Sequence, residues 1–350
     1  MSRLRPLAFL AVLIALFGAA SLRADLVWTP GQGWRIEGGA LAGLSGEEGR
    51  NALELMNTAR NAEEKGSSKS AIKGYQKVAK KYPNSLYAAE ALYRTGLLYE
   101  KRREYFKSFD AFQEMVMKYP SSEKFSQVVA EQYRIAQLLL DGARPYIWGV
   151  IPGFKNRERS IEYFEQIVRN APYSDYAPLS LMNIARGHQK MGNTEEAIDA
   201  LDRMINNYPK NVLTPDAYLK LAQTHSSLVE GAYYDQASTK EAITYFEDYL
   251  IQFPGDSGAG TAEKGLADMK TMLAQSKMIL ADYYYKYRKN YTAAKVFYNE
   301  AITTYPDSPV AARARKMLAD VDARLAGQPA PAVKDEKKPA APKKKRFWLF

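Results

Sequence analysis

A short phrase recurs six times along this chain of 350 residues and constrains the fold more than any other feature. In each copy a small residue is followed, at spacings of four, three and four, by mostly aromatic or apolar residues, and then by Pro. The copies start at Ala71, Ser108, Ser160, Ala197, Ala242 and Ala294, and their prolines are Pro83, Pro120, Pro172, Pro209, Pro254 and Pro306. These spacings place the side chains on one helical face, and Pro cannot continue a helix. Each phrase therefore predicts the second helix of a helical hairpin.

The repeated hairpins predict an all-α fold, a tetratricopeptide-like solenoid wound as a right-handed superhelix. The prolines stand 37, 52, 37, 45 and 52 residues apart, whereas the usual tetratricopeptide period is about 34. Such hairpins bury their apolar faces only by stacking, and six copies exceed the three or so that stability requires. We expect about six repeats over residues 46–325, with a lengthened first helix within 255–285 and a closing helix from Val310 to Leu325.

Residues 1–24 predict a secretory signal peptide. Arg3 and Arg5 precede an apolar run from Leu7 to Ala20, and cleavage is expected after Ala24. The run is shorter than the roughly 20 residues that a membrane-spanning helix needs, so an uncleaved anchor is the weaker alternative. The chain contains no Cys, which predicts that it has neither a disulfide nor an acceptor for an N-terminal lipid.

The net charge of +10 is concentrated at the two ends of the chain. Residues 1–24 carry three of the ten charges and residues 326–350 carry five, which leaves +2 for residues 25–325. Phosphate-binding surfaces need a continuous basic face. The charge distribution therefore predicts no nucleic-acid binding.

No motif in the sequence indicates catalysis. His188 and His225 occupy equivalent repeat positions 37 residues apart, which favours a structural role over metal binding. Nucleophile-elbow, phosphate-loop and zinc-protease motifs are absent. We predict that the chain is not an enzyme and has no metal, no cofactor and no small-molecule substrate.

Two internal segments depart from the repeat. Residues 25–45, with two Trp residues around a turn, predict an irregular segment that either folds back onto the first repeat or serves as a docking strand. A second, apolar segment within 142–159 is a candidate partner loop through Tyr146, Trp148 and Phe154. The alternative is that these three rings pack over a seam between repeats.

The C-terminal residues 326–350 form a Pro/Ala/Lys-rich tail that we predict to be disordered. Its end combines a basic cluster with four large apolar residues: Lys343, Lys344, Lys345, Arg346, Phe347, Trp348, Leu349 and Phe350. This pattern predicts either peripheral association with a membrane or a docking peptide for a protein groove.

Two stretches resemble the outer-membrane assembly lipoprotein family BamD. They are the first phrase with its Tyr-Pro-Asn-Ser ending, from Ala71 to Ala91, and Leu-Ala-Asp-Tyr-Tyr-Tyr-Lys-Tyr-Arg-Lys-Asn-Tyr from Leu280, followed by Tyr305-Pro-Asp-Ser-Pro. The resemblance implies a non-enzymatic periplasmic scaffold at the outer membrane. It also implies two kinds of partner, the periplasmic POTRA domain of the barrel insertase BamA and unfolded outer-membrane protein substrates. Family members have a lipidated Cys and usually five repeats, so this chain is a divergent relative.

Two other functions compete with this interpretation. Periplasmic coordinators of Tol or cell-wall machinery, similar to CpoB, share the Tyr-Pro-Asn/Asp-Ser ending and the scaffold but bind other partners. A superhelical lytic transglycosylase would need an additional catalytic domain, and no segment outside the repeats is long enough to supply one.

The first helices of the hairpins are expected to line a concave groove for peptides. Counting from the small residues gives the candidates Met56, Arg60, Tyr93, Leu97, Tyr133, Gln137, Met182 and Arg186. Aromatic and polar groups there are suited to hold an extended or helical peptide. Alternatively, Tyr93 and Tyr133 only fill seams between helices.

Overall fold

The computed structural model describes residues 25–37, 46–234 and 236–327. Within these ranges the chain forms 13 α-helices, a one-turn π-helix and two small β-hairpins. The helices are α1 (Glu47–Glu64), α2 (Ser68–Lys81), α3 (Tyr87–Lys101), α4 (Tyr105–Lys118), α5 (Phe125–Leu140), α6 (Arg157–Asn170), α7 (Tyr176–Met191), α8 (Thr194–Asn207), α9 (Thr214–Ser227), α10 (Ala237–Gln252), α11 (Ala259–Tyr283), α12 (Tyr291–Thr304) and α13 (Pro309–Leu325), with the π-helix at Tyr284–Arg288. The predicted signal peptide and the basic-apolar end of the tail lie outside the described residues.

Every phrase forms the helix that it predicts. The six second helices, α2, α4, α6, α8, α10 and α12, each end two residues before the proline of their phrase. Pro has no N–H to donate and disfavours the helical conformation in the residue before it. The prediction of an all-α, tetratricopeptide-like repeat fold is therefore confirmed.

The described residues form two compact units, one ending at Asn193 and the other starting at Thr194. In the first unit, consecutive helices from α1 to α7 pack against each other. Phe112 and Phe164, the rings of the second and third phrases, are fully buried there. A Cβ at position 96 would overlap the Phe112 ring, so Gly96 allows α3 and α4 to approach closely.

The second unit contains α8 to α13, again with consecutive helices in contact. Phe246 and Tyr298 of its phrases are buried. The Tyr298 hydroxyl donates a hydrogen bond of 2.7 Å to Asp282 Oδ1, which ties α12 to α11. The lengthened first helix and the closing helix that the sequence predicts are present as α11 and α13.

The two β-hairpins are both in the first unit. Strands β1 (Asp25–Thr29) and β2 (Gly33–Glu37) pair antiparallel with Trp28 opposite Trp34, and residues 25–37 are called the Trp34 hairpin. The prediction of an irregular segment is thus wrong over these residues, because the two aromatic strands pair and pack on α1. Between α5 and α6, β3 (Tyr146–Ile147) pairs with β4 (Ile151–Pro152), and residues 145–154 are called the Trp148 hairpin.

Candidate functional site

Two of the predicted groove residues are buried in the first unit. Met56 has no exposed surface and lies in a core cluster that Trp34 shares with side chains of α2 and α3. Tyr93 is 5% exposed, its ring lies 6.1 Å from the Phe112 ring, and Lys124 Nζ lies 4.8 Å above it. Burial raises the pKa of the Tyr93 hydroxyl. The groove prediction is wrong for these two side chains, because neighbouring elements enclose them.

Tyr133 fills a seam between helices of the first unit. Its half-buried ring lies 5.6 Å from the Phe164 ring and 5.2 Å from the Tyr176 ring. Asn183 Nδ2 donates a hydrogen bond of 2.8 Å to its hydroxyl. These contacts join α5, α6 and α7, which favours the seam-filling alternative for this residue.

The other groove candidates remain at the surface. Gln137 is exposed, and Leu97 and Met182 are half-buried. Arg60 pairs with Glu63 at 3.1 Å, and Arg186 pairs with Asp141 at 3.2 Å. The sequence-based candidates that stay accessible are therefore mostly polar.

A row of ion pairs connects the first helices of successive hairpins, and the sequence analysis missed it. Arg94 on α3 lies 3.8 Å from Glu63 on α1 and 2.8 Å from Glu90 on its own helix. Arg134 on α5 pairs with Glu100 on α3. Burial raises the pKa of Glu100, although the Arg134 guanidinium opposes the shift. Partners on different hairpins have no fixed sequence spacing, so no local pattern could have revealed this row.

Three residues, 148–150, join the two strands of the Trp148 hairpin, and the first of them is an unusual residue for a tight turn. Trp148 and Gly149 have φ of 53° and 73°, and Val150 N–H donates to Ile147 O at 3.2 Å. Tight hairpin turns with two positive φ values normally carry Asn, Asp or Gly at these positions. A bulky residue with positive φ is strained and occurs where the structure or the function requires it.

The backbone of the Trp148 hairpin is held by the turn between α3 and α4. Tyr146 N–H donates to Arg103 O at 2.7 Å, the Arg102 guanidinium donates to Trp148 O, and the Arg103 guanidinium carbon lies 5.4 Å from the centre of the Tyr146 ring. Gly153 N–H donates to Pro145 O at 2.7 Å. These contacts fix the main chain, but they leave the tip side chains free.

The exposed side chains of this hairpin contradict the alternative in which its rings pack over a seam. Trp148 is 65% exposed and Phe154 is 92% exposed, whereas Tyr146 is half-buried. Ile147, Val150 and Ile151 are also exposed. Among the described residues, the candidate partner loop therefore leaves five large apolar side chains exposed.

The second unit has an exposed aromatic surface that was not among the predicted sites. Tyr283 at the end of α11 and Tyr287 in the π-helix are exposed, with ring centres 6.0 Å apart, and Leu280 lies one turn earlier. Tyr284 instead stacks on Phe297 at 5.4 Å. The π-helix changes which residues face outward, and such turns often occur at functional sites. The run of tyrosines that resembles the BamD family was the available signal.

Over the described ranges, no group of His, Asp and Glu side chains is arranged to hold a metal ion. None of the helices in the same ranges combines the length and the apolar character needed to cross a bilayer.

The model of the family YfiO, described as outer membrane lipoprotein, matches residues 155–336. A tetratricopeptide repeat model matches residues 55–85 and 90–122, which correspond to the first two hairpins. The YfiO match covers just over half of the chain and includes all of the described second unit.

Several curated relatives are outer membrane protein assembly factors BamD. The protein of Xylella fastidiosa (strain Temecula1) is 25% identical over 156 residues, which are 42% of this chain and 53% of the relative. The Rickettsia prowazekii protein is 27% identical over 151 residues, 43% of this chain and 60% of the relative. The chain thus spans a little over half the length of these relatives.

Among solved structures, the crystal structure of MamA has a TM-score of 0.30 at 17% identity and covers 56% of this chain and 94% of its own. A tetratricopeptide repeat protein from Parabacteroides merdae has a TM-score of 0.31 at 12% identity and covers 77% and 99%. Similarity at this level supports no conclusion about function.

Proposed function

Because the chain belongs to the YfiO family of outer membrane lipoproteins, we propose that it is a non-enzymatic periplasmic scaffold of outer-membrane protein assembly, peripherally associated with the outer membrane. In this role it binds the periplasmic POTRA domain of a BamA-like barrel insertase and segments of unfolded outer-membrane proteins. The family match over residues 155–336 is the observation that carries the proposal. Tetratricopeptide families act through protein–protein contacts rather than catalysis, which agrees with it.

The exposed aromatic surface of the second unit is our candidate for the insertase contact. Leu280, Tyr283 and Tyr287 form an apolar patch, and Lys286 and Arg288 lie beside it. Tyr is enriched among the residues that dominate binding energy at protein interfaces, because its ring is large and its hydroxyl finds a polar partner.

A titration of the full chain with the purified POTRA domain of its host's insertase tests this assignment. Replacing Tyr283 and Tyr287 together with Ser is expected to weaken binding by about 2 kcal/mol or more. Ile251→Ser, which also removes an exposed apolar side chain of the second unit, is the matched control and should change little. Equal binding by wild type and the double variant would reject the surface. Binding of a purified Tol component in place of the POTRA domain would reject the partner and favour the coordinator function.

For unfolded substrates, the accessible candidates are Leu97, Gln137 and Met182 in the first unit. Leu97→Ser with Met182→Ser should weaken the binding of an outer-membrane protein C-terminal peptide in a direct titration, with helicity monitored by circular dichroism. Tyr173→Ser is the control, because Tyr173 is fully exposed and lies outside the candidate set. Unchanged affinity in the double variant would exclude this face as the peptide site.

A further inference from the structure

The Trp148 hairpin combines a fixed backbone with an apolar tip that no described residue covers. Its main chain is tied to Arg102 and Arg103 by the hydrogen bonds given above. Its side chains at Trp148, Val150 and Phe154 point to solvent. A mobile loop could hide such residues by collapsing, but a backbone held in this way keeps them exposed. The tip is therefore displayed for a contact outside the described chain.

Within the stretch from Gly142 to Arg157, all charged side chains are basic. Arg144, Lys155 and Arg157 are exposed, and they make no ion pair with any other described residue. No Asp or Glu occurs from Gly142 to Arg157. The flanking Asp141 pairs with Arg186 and lies 3.9 Å from Lys190 Nζ, so its charge is offset within the first unit. Beyond this stretch, Glu158 is the next carboxylate along the chain.

An apolar tip with a basic rim is complementary to an anionic lipid surface. Trp prefers the headgroup region of a bilayer because its ring is apolar while its N–H can still donate to a polar partner. Lys and Arg extend their charged ends toward lipid phosphates, and each contributes favourably near an anionic surface. A groove on a protein partner would need matching carboxylates to accept the three cations, whereas anionic lipid supplies the negative charge everywhere on its surface.

We propose that the Trp148 hairpin is a membrane-contact element, which inserts Trp148, Phe154 and their aliphatic neighbours into the headgroup region of an anionic bilayer while Arg144, Lys155 and Arg157 bind lipid phosphates. This site is distinct from the insertase surface in the second unit and does not depend on the proposed assembly function. It also differs from the basic-apolar tail, which lies outside the described residues. The positive φ of Trp148 is consistent with a Trp kept at this turn for an external contact.

A labelling experiment tests insertion directly, because the chain contains no Cys and a single introduced Cys is unique. Val150→Cys in the full mature chain, labelled with the environment-sensitive fluorophore NBD, is mixed with protein-free vesicles of phosphatidylethanolamine and phosphatidylglycerol. A blue-shifted and stronger emission is expected. Val212→Cys, at an exposed position in another loop, is the matched control and should not respond. Absence of a response at position 150, or an equal response at both positions, overturns the proposal.

Vesicle flotation then measures how much the apolar and the basic side chains each contribute to membrane binding. Trp148→Asn with Phe154→Ser should lower the partition coefficient about tenfold or more, since each large apolar side chain loses part of its burial. Asn is chosen at 148 because it tolerates positive φ. Lys155→Gln with Arg157→Gln should lower it roughly tenfold on anionic vesicles and much less on phosphatidylcholine vesicles.

Deletion of residues 343–350 separates the hairpin from the tail. In the deletion variant, the NBD response at position 150 should persist, and the hairpin substitutions should still reduce binding. If vesicle binding depends on the tail alone and is unaffected by the hairpin variants, the proposal is overturned. It is also overturned if those variants leave vesicle binding unchanged but abolish binding to the POTRA domain, because the tip is then a protein contact.

Discussion

The two hairpins of the first unit have similar ingredients and opposite exposures. Trp34 is 4% exposed, its backbone N–H donates a hydrogen bond of 2.6 Å to Asn57 Oδ1, and the guanidinium carbon of Arg60 lies 4.0 Å from the Trp28 ring centre. Trp148, in the other hairpin, is 65% exposed, and its neighbours bind its main chain only. One hairpin thus extends the core, whereas the other presents its rings to the surroundings.

The difference in exposure follows from the side chains that the adjacent helix or turn presents to each hairpin. Helix α1 presents Ala52, Met56 and Leu53 to the Trp34 hairpin, so closing over them removes apolar surface from water. The turn between α3 and α4 presents Arg102, Arg103 and Glu104 to the Trp148 hairpin, and these groups can hold a backbone but cannot bury a ring. In these two hairpins, the aromatic residues are buried where the neighbouring helix presents apolar side chains, and they stay exposed where the neighbouring turn presents charged ones.

The largest expected loss of stability comes from removing a fully buried ring of the repeat core. Phe112→Ala should destabilise the chain by about 3 to 5 kcal/mol, because it removes a fully buried ring and leaves a cavity beside Gly96. Urea denaturation gives the free energy of unfolding, and hydrogen exchange in α3 and α4 locates the loss. A change under about 1 kcal/mol would mean that this ring is not enclosed by the hairpin.

Trp34→Ala should cost about 3 kcal/mol, since the ring is buried but lies at the edge of the core. Trp148→Ala is the matched control, with the same substitution at an exposed site, and is expected to change stability by about 0.5 kcal/mol or less. Denaturation of both variants under one set of conditions tests the comparison. Equal losses would erase the distinction between the two hairpins.

Asn57→Ala should cost about 1 to 2 kcal/mol, because the backbone N–H of Trp34 loses the Asn57 side-chain oxygen as its acceptor. The loss should be local, so hydrogen exchange should accelerate in residues 25–37 and the adjacent part of α1 while α4 stays protected. Asn61→Ala on the same helix provides the control. Unchanged exchange across the hairpin would show that packing alone holds it on α1.

The repeat allowed most of the helical architecture to be predicted from the sequence. Six phrases located six helices and their ends, because the spacing that defines a helical face and the Pro that ends it are both local signals. The closing helix was predicted from Val310 to Leu325 and is observed at Pro309–Leu325. These features depend only on residues that are close in sequence.

The candidate site was harder to predict, because accessibility depends on a third element. Met56 and Tyr93 were expected to line a groove, but Met56 lies in a core cluster with Trp34 and side chains of α2 and α3, and Tyr93 packs beside Phe112 of α4. The exposure of Trp148 likewise depends on the distant α3–α4 turn, 46 residues earlier in the sequence. Helical periodicity predicts the face of the helix on which a side chain lies, but not which other element packs against that face.

The smallest expected effect concerns the stability of the chain without a membrane. Trp148→Asn should leave stability unchanged or raise it by up to about 1 kcal/mol, because Asn adopts positive φ more readily and no packed ring is lost. Thermal unfolding of the full chain measures this, with Gly149→Ala as the opposite control. Ala at 149 should destabilise the turn, because the residue has φ of 73° and a Cβ there would lie 2.7 Å from Arg102 Nη2.

A loss above about 1 kcal/mol for Trp148→Asn would show that the Trp148 ring is packed in solution, and the contrast between the two hairpins would fail. An unchanged or higher stability, together with weaker vesicle binding, is the combination expected of a residue whose strain is maintained for an external contact.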